Sequence, residues 1–108
     1  MSAYHHQVLF RFREPLAPET AHDLTETLLA LPAEIAGILD ISAGINETEE
    51  TLNSHGYTLG LHVSFESRQA LRAYQPHPAH QAFIQKLNGL VESVVVMDYP
   101  VPDREPAI

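Results

Sequence analysis

The strict alternation of side chains between Tyr57 and Phe65 constrains the fold of this chain more than any other feature. Large apolar residues occupy every second position, and small or polar residues lie between them. A period of two is typical of a β-strand that buries one of its faces. Residues 6–12 alternate in the same way and predict another such strand. The chain is therefore expected to build a sheet with one face packed against other elements.

Helical periodicity predicts the elements between the strands. Residues 18–31 carry apolar side chains at helical spacing, and Pro32 is expected to end that helix. Ser67 is a candidate N-cap for a short helix that ends near Tyr74. Residues 80–90 predict a further short helix, because their large apolar residues again recur at helical spacing.

The remaining segments complete a known order of elements. Residues 35–45 and 91–99 predict two more strands, and the polar, acidic residues 46–55 predict a loop. The order βαββαβ is that of an α+β, ferredoxin-like protomer, with a four-stranded antiparallel sheet and both helices on one face. The length of 108 residues indicates one domain. We assign residues 1–100 to this domain and residues 101–108 to a C-terminal tail.

A ferredoxin-like protomer leaves the second face of its sheet without helices. In this chain that face would carry Leu9 and members of the Val94-Val95-Val96 run, which makes it partly apolar. Exposed apolar patches of this kind usually mark an interaction surface. Two such sheets packed face to face would form a dimeric α/β barrel, so a homodimer with two-fold symmetry is expected.

Composition excludes several classes of function. Six Lys and Arg residues oppose fourteen Asp and Glu residues, and the formal net charge is −8. Nucleic acids and anionic membranes require a basic surface, so neither is an expected partner. The absence of Cys excludes disulfides, thiolate nucleophiles and Cys-based zinc sites. A polar start and the lack of an apolar run of about 20 residues predict a cytoplasmic protein.

Residues 74–80, YQPHPAH, bring a phenol and two imidazoles together just before a predicted helix. Histidine exchanges protons near neutral pH because its unperturbed pKa is about 6.5. The prolines restrict the backbone that carries these groups. His77 and His80 could both face a metal within a helix, but Pro78 is expected to place His77 before the first helical turn. We therefore predict chemistry at this segment and no metal site.

Other motifs of catalytic proteins are missing. The chain has no glycine-rich phosphate loop, no G-x-S-x-G and no H-E-x-x-H. Nucleotide use and hydrolysis by serine or zinc are therefore unsupported, and no cofactor is expected.

Several short motifs occur in the order found in one known family. Besides a His in the first strand, they are Gly56-Tyr57-Thr58, Phe65-Glu66-Ser67, Tyr74-x-x-His77-Pro78-x-His80 and Asp98-Tyr99. With these motifs, nearly the whole chain resembles the stress-responsive dimeric α/β-barrel family. The resemblance implies a ferredoxin-like protomer and a dimeric barrel, although many members have no assigned reaction.

The resemblance also implies site residues. A plant polyketide cyclase of this family closes a linear tetraketide thioester by an intramolecular aldol condensation, without a cofactor. Its catalytic His and the supporting Tyr correspond to His80 and Tyr74, which are our candidate catalytic residues. The candidate substrate-binding residues are His6, Val8, Phe10, Leu24, Leu28, Leu61 and His77.

Three positions depart from the cyclase. Leu28, Leu24 and Leu59 stand where the cyclase has Tyr, Phe and His. These changes alter the shape and polarity of the implied cavity, so a different substrate is expected.

Two hypotheses of function follow. In the first, a cavity binds a small apolar carbonyl or aromatic compound, and His80, supported by Tyr74, transfers a proton in a cofactor-free cyclisation, isomerisation or lyase step. In the second, the protein is a non-catalytic dimeric module for stress, stability or ligand binding, with structural histidines. The first hypothesis requires a void beside His80. The second expects that space to be filled by Leu24, Leu28, Leu59 and Phe83.

Overall fold

A computed structural model describes residues 2–102 and contains one four-stranded antiparallel sheet in that part of the chain. Across the sheet, the second strand of the chain is followed by the third, the first and the fourth, so the first and third strands are central. This order, with helices between the strands, confirms the predicted ferredoxin-like arrangement. The strands are β1 (Ala3–Phe12), β2 (Ile38–Ile45), β3 (Tyr57–Phe65) and β4 (Val91–Val101).

The helices begin where the local sequence favours a first turn. Pro18 and Pro78 open two of them, since a first-turn residue needs no N–H donor. Ser67 caps a third, and its hydroxyl accepts the backbone N–H of Ala70 at 3.1 Å, as predicted. The helices are α1 (Pro18–Leu29), α2 (Leu31–Glu34), α3 (Arg68–Tyr74) and α4 (Pro78–Lys86).

Two helix boundaries differ from the predicted ones. Helix α1 ends at Leu29, and Pro32 lies in the first turn of α2 instead of ending α1, because a proline is compatible with that turn. Helix α4 covers Pro78–Lys86 and not residues 80–90. Gly89, at a φ of 81°, adopts the left-handed conformation that turns the chain from α4 into β4.

The ends of two strands also differ from the predicted ones. Strand β2 begins at Ile38, later than predicted, because Gly37 at a φ of 91° turns the chain before it. Strand β4 continues past Tyr99 to Val101, where Val101 pairs with Ala3 of β1. The predicted tail, residues 101–108, thus starts with the last residue of β4, and residues 103–108 lie outside the described part of the chain.

A single apolar core lies between the sheet and the helices. The inward side chains of β1 and β3 meet helix residues there, which confirms that the helices cover one face. The largest fully buried side chains are Tyr74, Phe65, Phe83, Leu24, Leu28, Leu59 and Val63.

A bulge near the end of β1 removes Tyr57 from this core. The register between β1 and β3 shifts between Phe10 and Arg11, so that Arg11 pairs with Tyr57. The guanidinium carbon of Arg11 lies 5.3 Å from the centre of the Tyr57 ring, and the Tyr57 hydroxyl lies 2.9 Å from Oγ of Ser93. Tyr57 therefore does not share the surroundings of Leu59, as the alternation had predicted.

The opposite face of the sheet, which we call the outer face, carries exposed apolar side chains. Leu9, Val95 and Met97 are 43%, 45% and 61% exposed, and Leu9 lies directly across from Val95. Their neighbours Val94 and Val96 point to the helix side, because side chains alternate along β4. Within residues 2–102 no helix is long and apolar enough to cross a membrane.

Candidate functional site

A cavity of about 830 Å³ lies between the helix-side face of the β1–β4 edge and helix α4. Side chains of both central strands, of β4 and of α4 form its walls. Most of the candidate site residues meet here. Those that line the cavity are His6, Val8, Phe10, Leu61, Tyr74 and His80.

The other candidate residues do not line this cavity. Leu24 and Leu28 are fully buried in the core, because α1 packs against the β2 side of the sheet and the cavity lies on the β4 side. His77 is the N-cap of α4, and its Nδ1 accepts the backbone N–H of Ala79 at 3.0 Å. Leu59 is also a core residue. The cavity is a void beside His80, which the first hypothesis requires. Leu24, Leu28 and Leu59 fill the core next to it.

His80 lies in the first turn of α4, and its ring orientation is set by the backbone. Its Nδ1 lies 3.0 Å from the carbonyl oxygen of Gln75, so Nδ1 carries the proton and donates a hydrogen bond to that oxygen. Nε2 then keeps a lone pair. Burial lowers the pKa of His80, although the bond to Gln75 opposes this effect. At neutral pH the imidazole is therefore neutral, which is the form that a general base requires.

Tyr74, the last residue of α3, lies between the two cavity imidazoles. Its ring centre is 4.3 Å from that of His80 and 5.7 Å from that of His6. The hydroxyl is buried and has no hydrogen-bonding partner among the protein groups of residues 2–102. Burial raises the pKa of Tyr74 to about 12, so the phenol keeps its proton and can act only as a neutral donor or acceptor.

His6 is held by a carboxylate from the neighbouring strand. His6 on β1 pairs directly with Asp98 on β4, and His6 Nδ1 lies 2.5 Å from Asp98 Oδ1. The carboxylate accepts a hydrogen bond from Nδ1, which fixes the orientation of the ring. Asp98 was not among the candidate site residues. It is 92 positions from His6, and only the register of β1 with β4 brings the two together.

The remaining walls of the cavity are partly polar and partly apolar, and their polar residues are Arg13, Gln75, Gln85 and Asn88. Val94 and Val96 of β4 and Phe83 of α4 supply apolar surface. The cavity, whose surface is more apolar than polar, is thus bordered by an imidazole that can accept a proton, a second imidazole held by a carboxylate and a phenol that can donate a hydrogen bond. This set of groups is suited to proton transfer next to a carbonyl group.

Known proteins of the same type share this architecture. The family model of the stress responsive A/B barrel domain matches residues 4–101. The chain belongs to this family. The A/B barrel domain protein HS1 of Arabidopsis thaliana is 31% identical over 94 residues, which cover 87% of this chain and 85% of that protein.

Two further relatives of this A/B barrel chain are informative. Olivetolic acid cyclase of Cannabis sativa is 26% identical over 97 residues, covering 90% of this chain and 95% of the cyclase. A Bacteroides fragilis protein of unknown function, described as dimeric with a ferredoxin-like fold, superimposes with a TM-score of 0.79 at 27% identity. That match covers 92% of this chain and 96% of the Bacteroides fragilis chain.

Proposed function

We propose that this protein binds a small apolar carbonyl or aromatic compound in the cavity beside His80. His80 then moves a proton in a cofactor-free cyclisation, isomerisation or lyase step. The observation that carries the proposal is the meeting of His80, Tyr74 and His6 at a cavity of about 830 Å³ whose surface is more apolar than polar. Small-molecule sites commonly have volumes of roughly 300–1,000 Å³ and few polar groups. The name of the Cannabis sativa relative, a cyclase, supports this class of chemistry.

The proposed step starts with Nε2 of His80 taking a proton from the carbon next to the substrate carbonyl. The electron pair of the C–H bond forms a C=C bond, and negative charge gathers on the carbonyl oxygen. The Tyr74 hydroxyl, which has no protein partner within residues 2–102, donates a hydrogen bond to that oxygen. The imidazolium of His80 returns the proton to the product. His6, oriented by Asp98, forms a hydrogen bond with a substrate hydroxyl.

A non-catalytic module for stress response or ligand binding is the second candidate. HS1 of Arabidopsis thaliana is named for its stress-response domain and not for a reaction. Tyr74 and Phe83 are buried in the core and therefore contribute to stability even when the cavity is empty. In this alternative the protein catalyses no reaction, and the loss of His80 changes only its stability.

We also propose that two copies associate through the outer face to form a barrel in the cytoplasm, with no nucleic-acid or membrane partner. The Bacteroides fragilis relative is described as dimeric. Leu9, Val95 and Met97 leave an apolar strip on the outer face that a second sheet would cover.

Ligand binding can be followed by amide chemical shifts in solution. We expect a β-keto thioester of N-acetylcysteamine, or a small phenol, to shift resonances of Val8, Phe83 and Val96. Val96→Trp should weaken binding about tenfold or more because the indole enters the cavity, whereas Leu52→Trp on an exposed loop should not. Saturating shifts that avoid these residues, or equal affinities in the two variants, would contradict binding in the cavity.

Association can be tested by sedimentation equilibrium. Val95→Glu places a charge on the outer face and should convert the dimer to a monomer, because an unpaired carboxylate is costly to bury. Leu29→Glu adds the same charge on α1, on the helix side of the sheet, at a side chain that is 41% exposed, and should leave the dimer unchanged. A wild-type protein that sediments as a monomer at all concentrations would contradict the proposal.

A further inference from the structure

The outer face carries a second pair of histidines, separate from the cavity. Nδ1 of His5 on β1 lies 2.9 Å from Nε2 of His62 on β3. The ring centres are 4.7 Å apart, and the rings meet at 73°. His5 pairs with Ser64 and His62 pairs with Gln7, so the two histidines are diagonal neighbours on hydrogen-bonded strands. The backbone of the sheet therefore holds this pair of nitrogens close together.

The protonation of this pair suits metal binding. Two imidazole nitrogens that face each other can share only one proton, so at least one of them presents a lone pair. Imidazole with a free lone pair is the form that ligates metal ions.

We propose that His5 and His62 form a two-imidazole site for a divalent transition metal of the Cu²⁺ or Ni²⁺ type. With metal–nitrogen distances of roughly 2.0–2.1 Å, nitrogens 2.9 Å apart subtend an angle of about 90° at the ion. This is the angle between adjacent ligands in square-planar or octahedral coordination. Imidazole in tetragonal geometry is typical of Cu²⁺ and Ni²⁺ sites.

The groups around the pair are compatible with a cation. The negative charge of Asp40 on β2 acts on His62 and favours a positive ion there. Tyr99 lies 5.6 Å from His5, ring centre to ring centre, and is held by Gln7, whose side-chain amide donates to the Tyr99 hydroxyl at 3.2 Å.

The remaining ligands must come from outside this pair. Within residues 2–102 no group of three or more His, Cys, Asp or Glu side chains could hold a metal ion. The other coordination positions therefore belong to water or to a second copy packed on the outer face. The proposal is independent of the chemistry in the cavity, because His5 and His62 lie on the opposite side of the sheet from His80.

The test is a titration of the full-length, metal-free protein with Cu²⁺ in the presence of glycine as a competing ligand. We expect one Cu²⁺ per protomer and an electron paramagnetic resonance spectrum with hyperfine splitting from two nitrogens. His62→Gln and His5→Gln should each weaken binding at least tenfold, since loss of even an outer partner of a metal ligand costs about 10–100-fold. The matched control is His22→Gln, which changes an exposed histidine on α1.

Several outcomes would overturn the proposal. They are affinities for Cu²⁺ that are equal in His62→Gln and His22→Gln, a spectrum with a single nitrogen ligand, or binding that survives the loss of both histidines. Circular dichroism melting shows whether each variant folds. If His5→Gln does not fold, the Cu²⁺ affinities of His62→Gln and Asp40→Asn are compared with that of His22→Gln. Both His62→Gln and Asp40→Asn should bind Cu²⁺ more weakly than His22→Gln.

Discussion

His80→Gln is expected to slow proton transfer on a β-keto thioester by roughly 10²–10⁴-fold, the usual contribution of a positioned general base. The amide of Gln keeps a donor for the Gln75 carbonyl but has no basic nitrogen. The fold should survive, because the Gln amide can keep the bond to Gln75 and α4 keeps its own cap at His77.

The rate is measured as exchange of the acidic α-carbon proton for deuterium, followed by nuclear magnetic resonance. His22→Gln is the matched control, since it removes an exposed imidazole from α1 and should leave the rate unchanged. Melting temperature and sedimentation of each variant show that the fold and the assembly are intact. Equal rates in wild type and His80→Gln would remove the catalytic proposal and leave the binding module.

The wild-type rate is expected to depend on pH through His80. Because burial lowers the pKa of His80, its basic form persists below pH 6.5, and the rate should fall only as the pH drops through that lowered pKa. The free energy of unfolding should also decrease as the pH falls. The unfolded chain binds this proton more tightly, so the contribution of neutral His80 is present above about pH 6.5 and is lost on acidification. His80→Gln should therefore reduce the loss of stability between about pH 7 and pH 5.

Leu28→Ala is expected to destabilise the protein by about 2–5 kcal/mol, the cost of deleting a large buried side chain and leaving a void. Leu28 has 0% exposure in the core between α1 and the sheet. Its neighbour Leu29 provides a matched control, because it belongs to the same helix and is 41% exposed. Leu29→Ala should cost less than about 1 kcal/mol.

Urea denaturation measures both free energies of unfolding. Leu28 does not line the cavity, so Leu28→Ala should keep the wild-type affinity for the thioester wherever the protein remains folded. A similar cost for the two variants would mean that α1 does not pack as described. A large loss of affinity with little loss of stability would instead return Leu28 to the binding site, as the family resemblance had implied.

Much of the architecture could be predicted from local patterns. The alternation between Tyr57 and Phe65 depends only on the geometry of a strand, and the bounds of β3 agree with it. Helix starts at Pro18 and at Ser67 follow from first-turn chemistry, which is local as well. The ends of strands and helices that are set by glycines with positive φ were predicted less well. The start of β2 after Gly37 is an example, because periodicity does not reveal that conformation.

The candidate site was only partly predictable. The motif in residues 74–80 brings Tyr74 and His80 together because they are close along the chain. Leu24 and Leu28 were assigned to the pocket from resemblance, yet periodicity does not say against which edge of the sheet a helix packs. Asp98 was absent from the candidates, because its contact with His6 depends on strand register.

The sequence by itself determined the order of elements, the one-sided burial of the sheet and the proximity of Tyr74 to His80. Each of these follows from the chemistry of neighbouring residues. Only the tertiary structure decided that His6 meets Asp98, that His5 faces His62, and that the space beside His80 stays open while the space around Leu28 is filled. Those features depend on register and packing, in which residues far apart in the chain are brought within a few ångströms of each other.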